Sequence, residues 1–109
     1  MAVLNIAPTE LSAWLSDPAR RRPQLLDVRE PWEFQTCRIG EARLVPLQEL
    51  PGRIAELDPA AETVVICHHG GRSMQAALYL ERQGFANVHN LAGGVDAWAR
   101  NVDPAMPVY

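Results

Sequence analysis

The chain has 109 residues, 48% hydrophobic and 21% charged, which is one domain's length (1–109) with enough apolar material for a real core. That excludes a multidomain machine and a disordered segment. Ten basic residues, all arginine, stand against 13 acidic ones for a net charge of −3, the reverse of a general nucleic-acid binder, and no apolar run approaches the roughly 18 residues of a membrane helix.

Short β-like runs alternate with helix-like stretches, the pattern of an α/β domain with a mostly parallel sheet. Val3 to Ile6 reads as a first strand. Pro8 opens a helix in which Leu11, Trp14 and Leu15 share one face, ending near Asp17-Pro18. The triplet Arg20-Arg21-Arg22 reads as a solvated loop, with a docking patch as the alternative. Gln24 to Val28 is a buried strand, and Glu30 to Phe34 begins a short helix with Pro31 in its first turn. Leu44-Val45 is a brief strand stopped by Pro46. Leu47, Leu50, Ile54 and Leu57 mark an amphipathic helix despite Pro51-Gly52 in its interior. Thr63 to Ile66 is the clearest central strand, and a helix follows from about Ser73 to Gln83. That helix carries Met74, Ala77 and Leu78 and is closed by Gly84. Val88 to Leu91 is the last strand, and after Gly93-Gly94 a final helix puts Val95, Trp98 and Ala99 on one face. The tail, with Pro104 and Pro107, is expected on the surface.

Two cysteines, Cys37 and Cys67, make no disulfide framework, and the start of the chain lacks a charged leader region. A cytoplasmic protein with one or two functional thiols is the expectation.

The chemistry belongs after Ile66. There a thiol at the carboxyl end of a buried strand leads into Cys67-His68-His69-Gly70-Gly71-Arg72-Ser73 and then a helix. Ligands of open α/β sheets bind beyond the carboxyl ends of the strands. Gly70 and Gly71 let the loop amides turn inward as an anion nest, and the helix start adds its positive dipole end. Arg72 adds a full charge. These features favour the thiolate, the nucleophilic form of cysteine, so Cys67 is the candidate nucleophile. Adjacent Cys-His-His offers poor ligand spacing, so no metal is expected, and His68 and His69 serve the loop instead. No Cys-x-x-Cys and no Walker-type loop is present, and no cofactor is expected.

With these residues in place the chain resembles a single-domain rhodanese, a small sulfurtransferase. The resemblance is carried by Pro8-x-Glu10-Leu11 and by Leu25-Leu26-Asp27-Val28-Arg29-Glu30-Pro31-x-Glu33-Phe34. It continues through Ile39, Ala42, Pro46-Leu47, Cys67-x-x-Gly70-x-Arg72-Ser73 and Leu91-x-Gly93-Gly94-x-x-Ala97-Trp98. It implies a rhodanese-like α/β fold, a parallel five-stranded sheet flanked by helices on both faces. It also implies that Cys67 takes sulfur from a donor such as thiosulfate, holds it as a persulfide within the loop His68 to Ser73, and passes it to cyanide in vitro or to a thiol. Basic loops in the family go with anionic thiosulfate, and His68, His69 and Arg72 fit that. Asp27 and Arg29 match a second segment near the site, as a pair that anchors the loop with or without substrate contact. The implied partners are a small-molecule sulfur donor and a thiol acceptor or protein persulfide, with no nucleic acid and no membrane. Where members commonly carry Gly-His-Ile-Pro-Gly, this chain has Cys37-Arg38-Ile39-Gly40-Glu41. Cys37 is expected to be dispensable, with a resolving thiol as the alternative.

Two other classes compete. Dual-specificity phosphatases and arsenate reductases use a similar cysteine loop with five residues between cysteine and arginine, whereas four separate Cys67 from Arg72. The third reading is a non-catalytic interaction module of the same fold.

Overall fold

The computed structural model describes residues 3–109. Five parallel strands form one sheet: β1 (Leu4–Ile6), β2 (Gln24–Asp27), β3 (Arg43–Leu44), β4 (Thr63–Ile66) and β5 (Val88–Leu91), in spatial order β1-β5-β4-β2-β3. All four residues of β4 are buried, as a central strand covered on both faces must be. The helices are α1 (Pro8–Ser16), α2 (Pro31–Thr36), α3 (Leu50–Arg53), α4 (Gly71–Arg82) and α5 (Gly94–Asn101). No helix among the described residues is long and apolar enough to cross a membrane.

Alternation along the strands sends side chains to two cores. Val64, Ile66 and Leu91 pack with Leu11 and Trp14 of α1 and Val95 and Trp98 of α5 on one face. Val65, Leu26 and Val28 pack with Leu50 and with Ala76, Ala77 and Leu80 of α4 on the other. Each fully buried Leu or Trp in such a core is worth about 2–5 kcal/mol against alanine.

Several elements depart from expectation. The helix expected from Leu47 to Leu57 is broken into a 3-10 turn at Leu47–Glu49, α3, and a second 3-10 turn at Ile54–Glu56. Pro51 has no N–H to donate and Gly52 gains least from a helix, so the ladder cannot run through. The apolar spacing still carries Leu50 and Leu57 inward. Strand β3 sits one residue earlier than Leu44-Val45, although Val45 N–H still donates to Asp27 O at 2.9 Å. Helix α4 begins two residues before Ser73, and its buried stripe is Ser73, Ala76, Ala77 and Leu80, with Leu78 exposed. Small side chains at 73, 76 and 77 let the helix lie close to the sheet. Gly84 closes it with φ +93°, and Phe85 N–H reaches back to Leu80 O. The arginine triplet is tied to its own neighbourhood: Arg20 lies over the Trp14 ring, Trp14 Nε1 donates to Arg21 O, and Arg22 donates to Leu15 O. The tail lies on the surface, with Pro104 and Pro107 exposed, while Met106 and Tyr109 turn back to pack against the core.

Candidate active site

Cys67 follows the last residue of β4, flanked by β2 and β5, so the neighbouring strands bring Asp27 and Asn90 towards the same end of the sheet. Its thiol is enclosed, with the residue only 1% exposed. Gly70 N–H donates to Cys67 Sγ at 3.0 Å, and Ser73 Oγ stands 3.2 Å from the same sulfur. Gly70 can turn its amide inward because it adopts φ +106°, a backbone conformation that other residues rarely take. The amino end of α4, twelve residues long, therefore opens onto the sulfur, where its dipole favours negative charge.

A buried polar string supports this corner. Ser73 Oγ lies 2.5 Å from Asn90 Oδ1, and Asn90 Nδ2 donates to Asn5 Oδ1 and Gly70 O. From the other side, Val95 N–H and Asp96 N–H donate to the carbonyls of Cys67 and His68 at 2.9 and 3.1 Å. Helix α5 comes this close because residue 94 is glycine at φ +60°; a Cβ there would collide with both carbonyl groups.

Each basic side chain of the loop meets a neighbour. Arg72 turns to α2, where Nη1 and Nη2 donate to Glu33 Oε1 and Oε2 at 2.6 and 2.8 Å. Glu33 is buried in position to receive them because α2 begins at Pro31, and its Oε1 also accepts the Glu30 N–H that opens that helix. The Arg72 hydrogen bonds hold the Glu33 carboxyl at about 2, against the pull of its burial, and Glu33 in turn raises Arg72. His68 is stacked between His69 and Tyr109, with centroids 3.9 and 4.0 Å away. Burial first, and then neighbouring His69, lowers its pKa, so it is neutral near pH 7. His69 is 67% exposed and points to Asp96 at 4.0 Å.

Asp27 and Arg29 are both fully buried and make a clamp. Arg29 donates through Nε and Nη2 to the Asp27 carboxylate, through Nη2 to Cys37 O, and through Nη1 to Glu33 O and Tyr109 Oη. Burial alone would lower its pKa, but the bonds to Asp27 and Tyr109 outweigh it and raise it. These donors are spent on Asp27, α2, the Cys37 carbonyl and the tail, and none goes to the loop from His68 to Ser73. Cys37 is buried and free, with Arg29 Nη1 3.7 Å from its sulfur.

Three residues with a part here carry no sequence expectation of one: Glu33, Asn90 and Tyr109. Tyr109 Oη donates to Glu33 Oε2 at 2.9 Å, and burial pushes its phenol up to about 12. Glu33 sits inside a quoted motif, but its partner lies 39 residues away and no local pattern names it. Donor atoms of His68, His69 and Asp96 come within 4.8 Å of one another. The imidazole planes are only 28° apart in the stack, so their in-plane lone pairs do not converge, and Asp96 is engaged by Arg100.

The profile of the rhodanese-like domain matches residues 7–101. The chain is 38% identical over 112 residues to the chloroplastic rhodanese-like/PpiC domain-containing protein 12 of Arabidopsis thaliana, covering 98% of this chain but 38% of that one. It is 39% identical over 82 residues to thiosulfate sulfurtransferase GlpE of Pseudomonas aeruginosa, covering 75% of this chain and 74% of the other. The crystal structure of a rhodanese-like domain protein from Staphylococcus aureus superposes with a TM-score of 0.83 at 26% identity, covering 98% and 99% of the two chains. A five-stranded parallel sheet with the cysteine loop on its central strand, and a family profile spanning 7–101, together show that the chain belongs to the rhodanese-like family.

Proposed function

We propose that the protein is a sulfurtransferase that moves a sulfane sulfur from a donor such as thiosulfate to a thiophilic acceptor through a persulfide on Cys67. The observation that carries this reading is the surroundings of Cys67 Sγ: a loop N–H at 3.0 Å, a hydroxyl oxygen at 3.2 Å and the amino end of α4. The GlpE relative, named a thiosulfate sulfurtransferase, supports it. In the first half-reaction the Cys67 thiolate attacks the outer sulfur of thiosulfate. The Sγ–S bond forms, the sulfur–sulfur bond of the donor breaks, and its electron pair leaves on sulfite. The Cys67 persulfide keeps its negative charge on the terminal sulfur, within the loop from His68 to Ser73, where the Gly70 N–H and the amino end of α4 stabilise it. Attack by cyanide or a thiol on that sulfur then restores the thiolate, completing a ping-pong cycle.

An enclosed thiol in a loop of four residues between Cys67 and Arg72 is reached by a slender terminal sulfur more readily than by a tetrahedral phosphoryl group. That favours sulfur transfer over the phosphatase or arsenate reductase reading, and a retained cysteine favours an enzyme over a silent module. Residues 1–109 would act as one domain, and two free thiols suit a reducing cytoplasmic compartment, with a small thiol or protein persulfide as partner.

The test is intact-protein mass spectrometry after treatment with thiosulfate. A one-sulfur adduct on Cys67 is expected, absent in Cys67→Ser, which should also form no thiocyanate while keeping its fold. Hydrolysis of p-nitrophenyl phosphate through Cys67, with no persulfide, would replace this reading with the phosphatase one.

A further inference from the structure

The charge around the thiol is more nearly balanced than the sequence of the loop suggests. Arg72 is the loop's one arginine, and both arms of its guanidinium are taken by the buried carboxylate of Glu33. Behind it, Arg29 is matched by Asp27 with no exposure to solvent. On α5, Asp96 is faced by Arg100 and by His69 of the loop. The attraction offered to an incoming anion is left to dipoles, the loop amides and the start of α4. Dipoles attract a dianion as well, but desolvation cost grows faster with charge than that attraction does. Without a free cation, a single charge on a terminal sulfur is therefore favoured over a dianion.

We propose that Glu33 is a selectivity residue: by neutralising Arg72 it disfavours dianionic thiosulfate and turns the site towards the persulfide of a small thiol, R–S–SH. This rests on the sulfur-carrier reading of Cys67. A small carrier is indicated because Cys67 is only 1% exposed, so a bulky donor cannot bring its outer sulfur to Sγ. In the transfer the Cys67 thiolate attacks the outer sulfur of R–S–SH. The Sγ–S bond forms and the R–S–S bond breaks. Cys67 is oxidised, the inner sulfur of the donor is reduced, and the electron pair leaves on R–S⁻, which takes up the proton that the transferred sulfur carried.

Glu33→Gln separates charge from shape. Glutamine keeps an oxygen for the Glu30 N–H that caps α2, but it cannot neutralise Arg72. The measurement is the rate of Cys67 persulfide formation, read by intact mass, with thiosulfate and with the persulfide of 2-mercaptoethanol, whose only charge is on its terminal sulfur. The ratio of the thiosulfate rate to the persulfide rate should rise about tenfold in Glu33→Gln, as expected for one uncompensated charge near a dianion. A general loss of structure would slow both donors and leave the ratio unmoved. A second readout needs no variant: the wild-type rate with thiosulfate should stay level or rise with added salt, since screening removes no net attraction. A ratio within twofold of wild type, or a wild-type thiosulfate rate that falls steeply with salt, overturns the proposal while leaving the sulfur-carrier reading standing. If neither donor loads Cys67 in the wild type, both readings fall together.

Discussion

One hydroxyl proton joins the sulfur of Cys67 to the neighbouring strand. Ser73 Oγ has a single hydrogen and two acceptors in reach, Asn90 Oδ1 at 2.5 Å and Cys67 Sγ at 3.2 Å. With the thiol protonated, the hydroxyl donates to Asn90 and can accept from sulfur; with the thiolate formed, rotation lets it donate to sulfur instead. Asn90 is thus a positioning residue acting through Ser73, and its amide also holds Asn5 and Gly70. Asn90→Ala should lower stability by about 1–3 kcal/mol, the usual cost of stranding buried polar groups, as read by urea unfolding. Asn90→Asp should cost at least as much, because its second oxygen would face two acceptors, Asn5 Oδ1 and Gly70 O. If Asn90→Asp were as stable as the wild type, the assigned orientation of the amide would be wrong. None of this was legible in the sequence, where Asn90 is one polar residue inside a short β-run, 17 positions from Ser73. That Cys67, Gly70 and Ser73 lie together was legible, since a strand end, a turn and a helix start adjoin one another there.

At the scale of elements, the strands and helices that could be read were those whose own residues decide them. Strand β4 is an unbroken apolar run before a glycine pair, and α4 ends on Gly84. Failures came where two local signals disagreed or where a distant partner decided. The apolar spacing from Leu47 to Leu57 argued for a helix, and Pro51 broke it without disturbing what faces inward. Tyr109 had no local signal at all, and it packs beside the loop because Glu33 and Arg29 accept and donate across 76 and 80 residues. The approach of α5 to the loop was half legible. Gly93-Gly94 announced a turn, but not that Gly94 lies against the backbone of Cys67 and His68. Gly94→Ala should push α5 away from those carbonyls and weaken the bonds from Val95 and Asp96. A loss of about 2–4 kcal/mol is expected from the clash together with the positive φ, measured as the shift in thermal or urea midpoint. Sulfur transfer should fall with it. A Gly94→Ala protein of wild-type stability would mean that the loop yields without cost.

Across the whole molecule, the site draws on both ends of the described chain and on the middle of the sheet. The strand order β1-β5-β4-β2-β3 places the first strand against the last, pairing Leu4 with His89 and Ile6 with Leu91. Strand β1 has three residues, two of them exposed, so this pairing and the burial of Ile6 are what hold it. Its Asn5 nevertheless completes the polar string that ends at Cys67. The consequence is one of timing. Drawing residues 4 and 89 together closes a very long loop, and pairings of such separation form late in folding. The helices and the β2–β4 pair can form before the thiol has its finished surroundings. During refolding from urea, protection of Cys67 from iodoacetamide should therefore appear in a slower phase than the helical circular dichroism signal. Protection arising together with that signal would show that the reactive corner is built without the strand that starts the chain. Until β1 docks, a newly made molecule carries the Cys67 thiol in an unfinished and more accessible pocket, a window in which electrophiles and oxidants can reach a sulfur that the folded protein encloses.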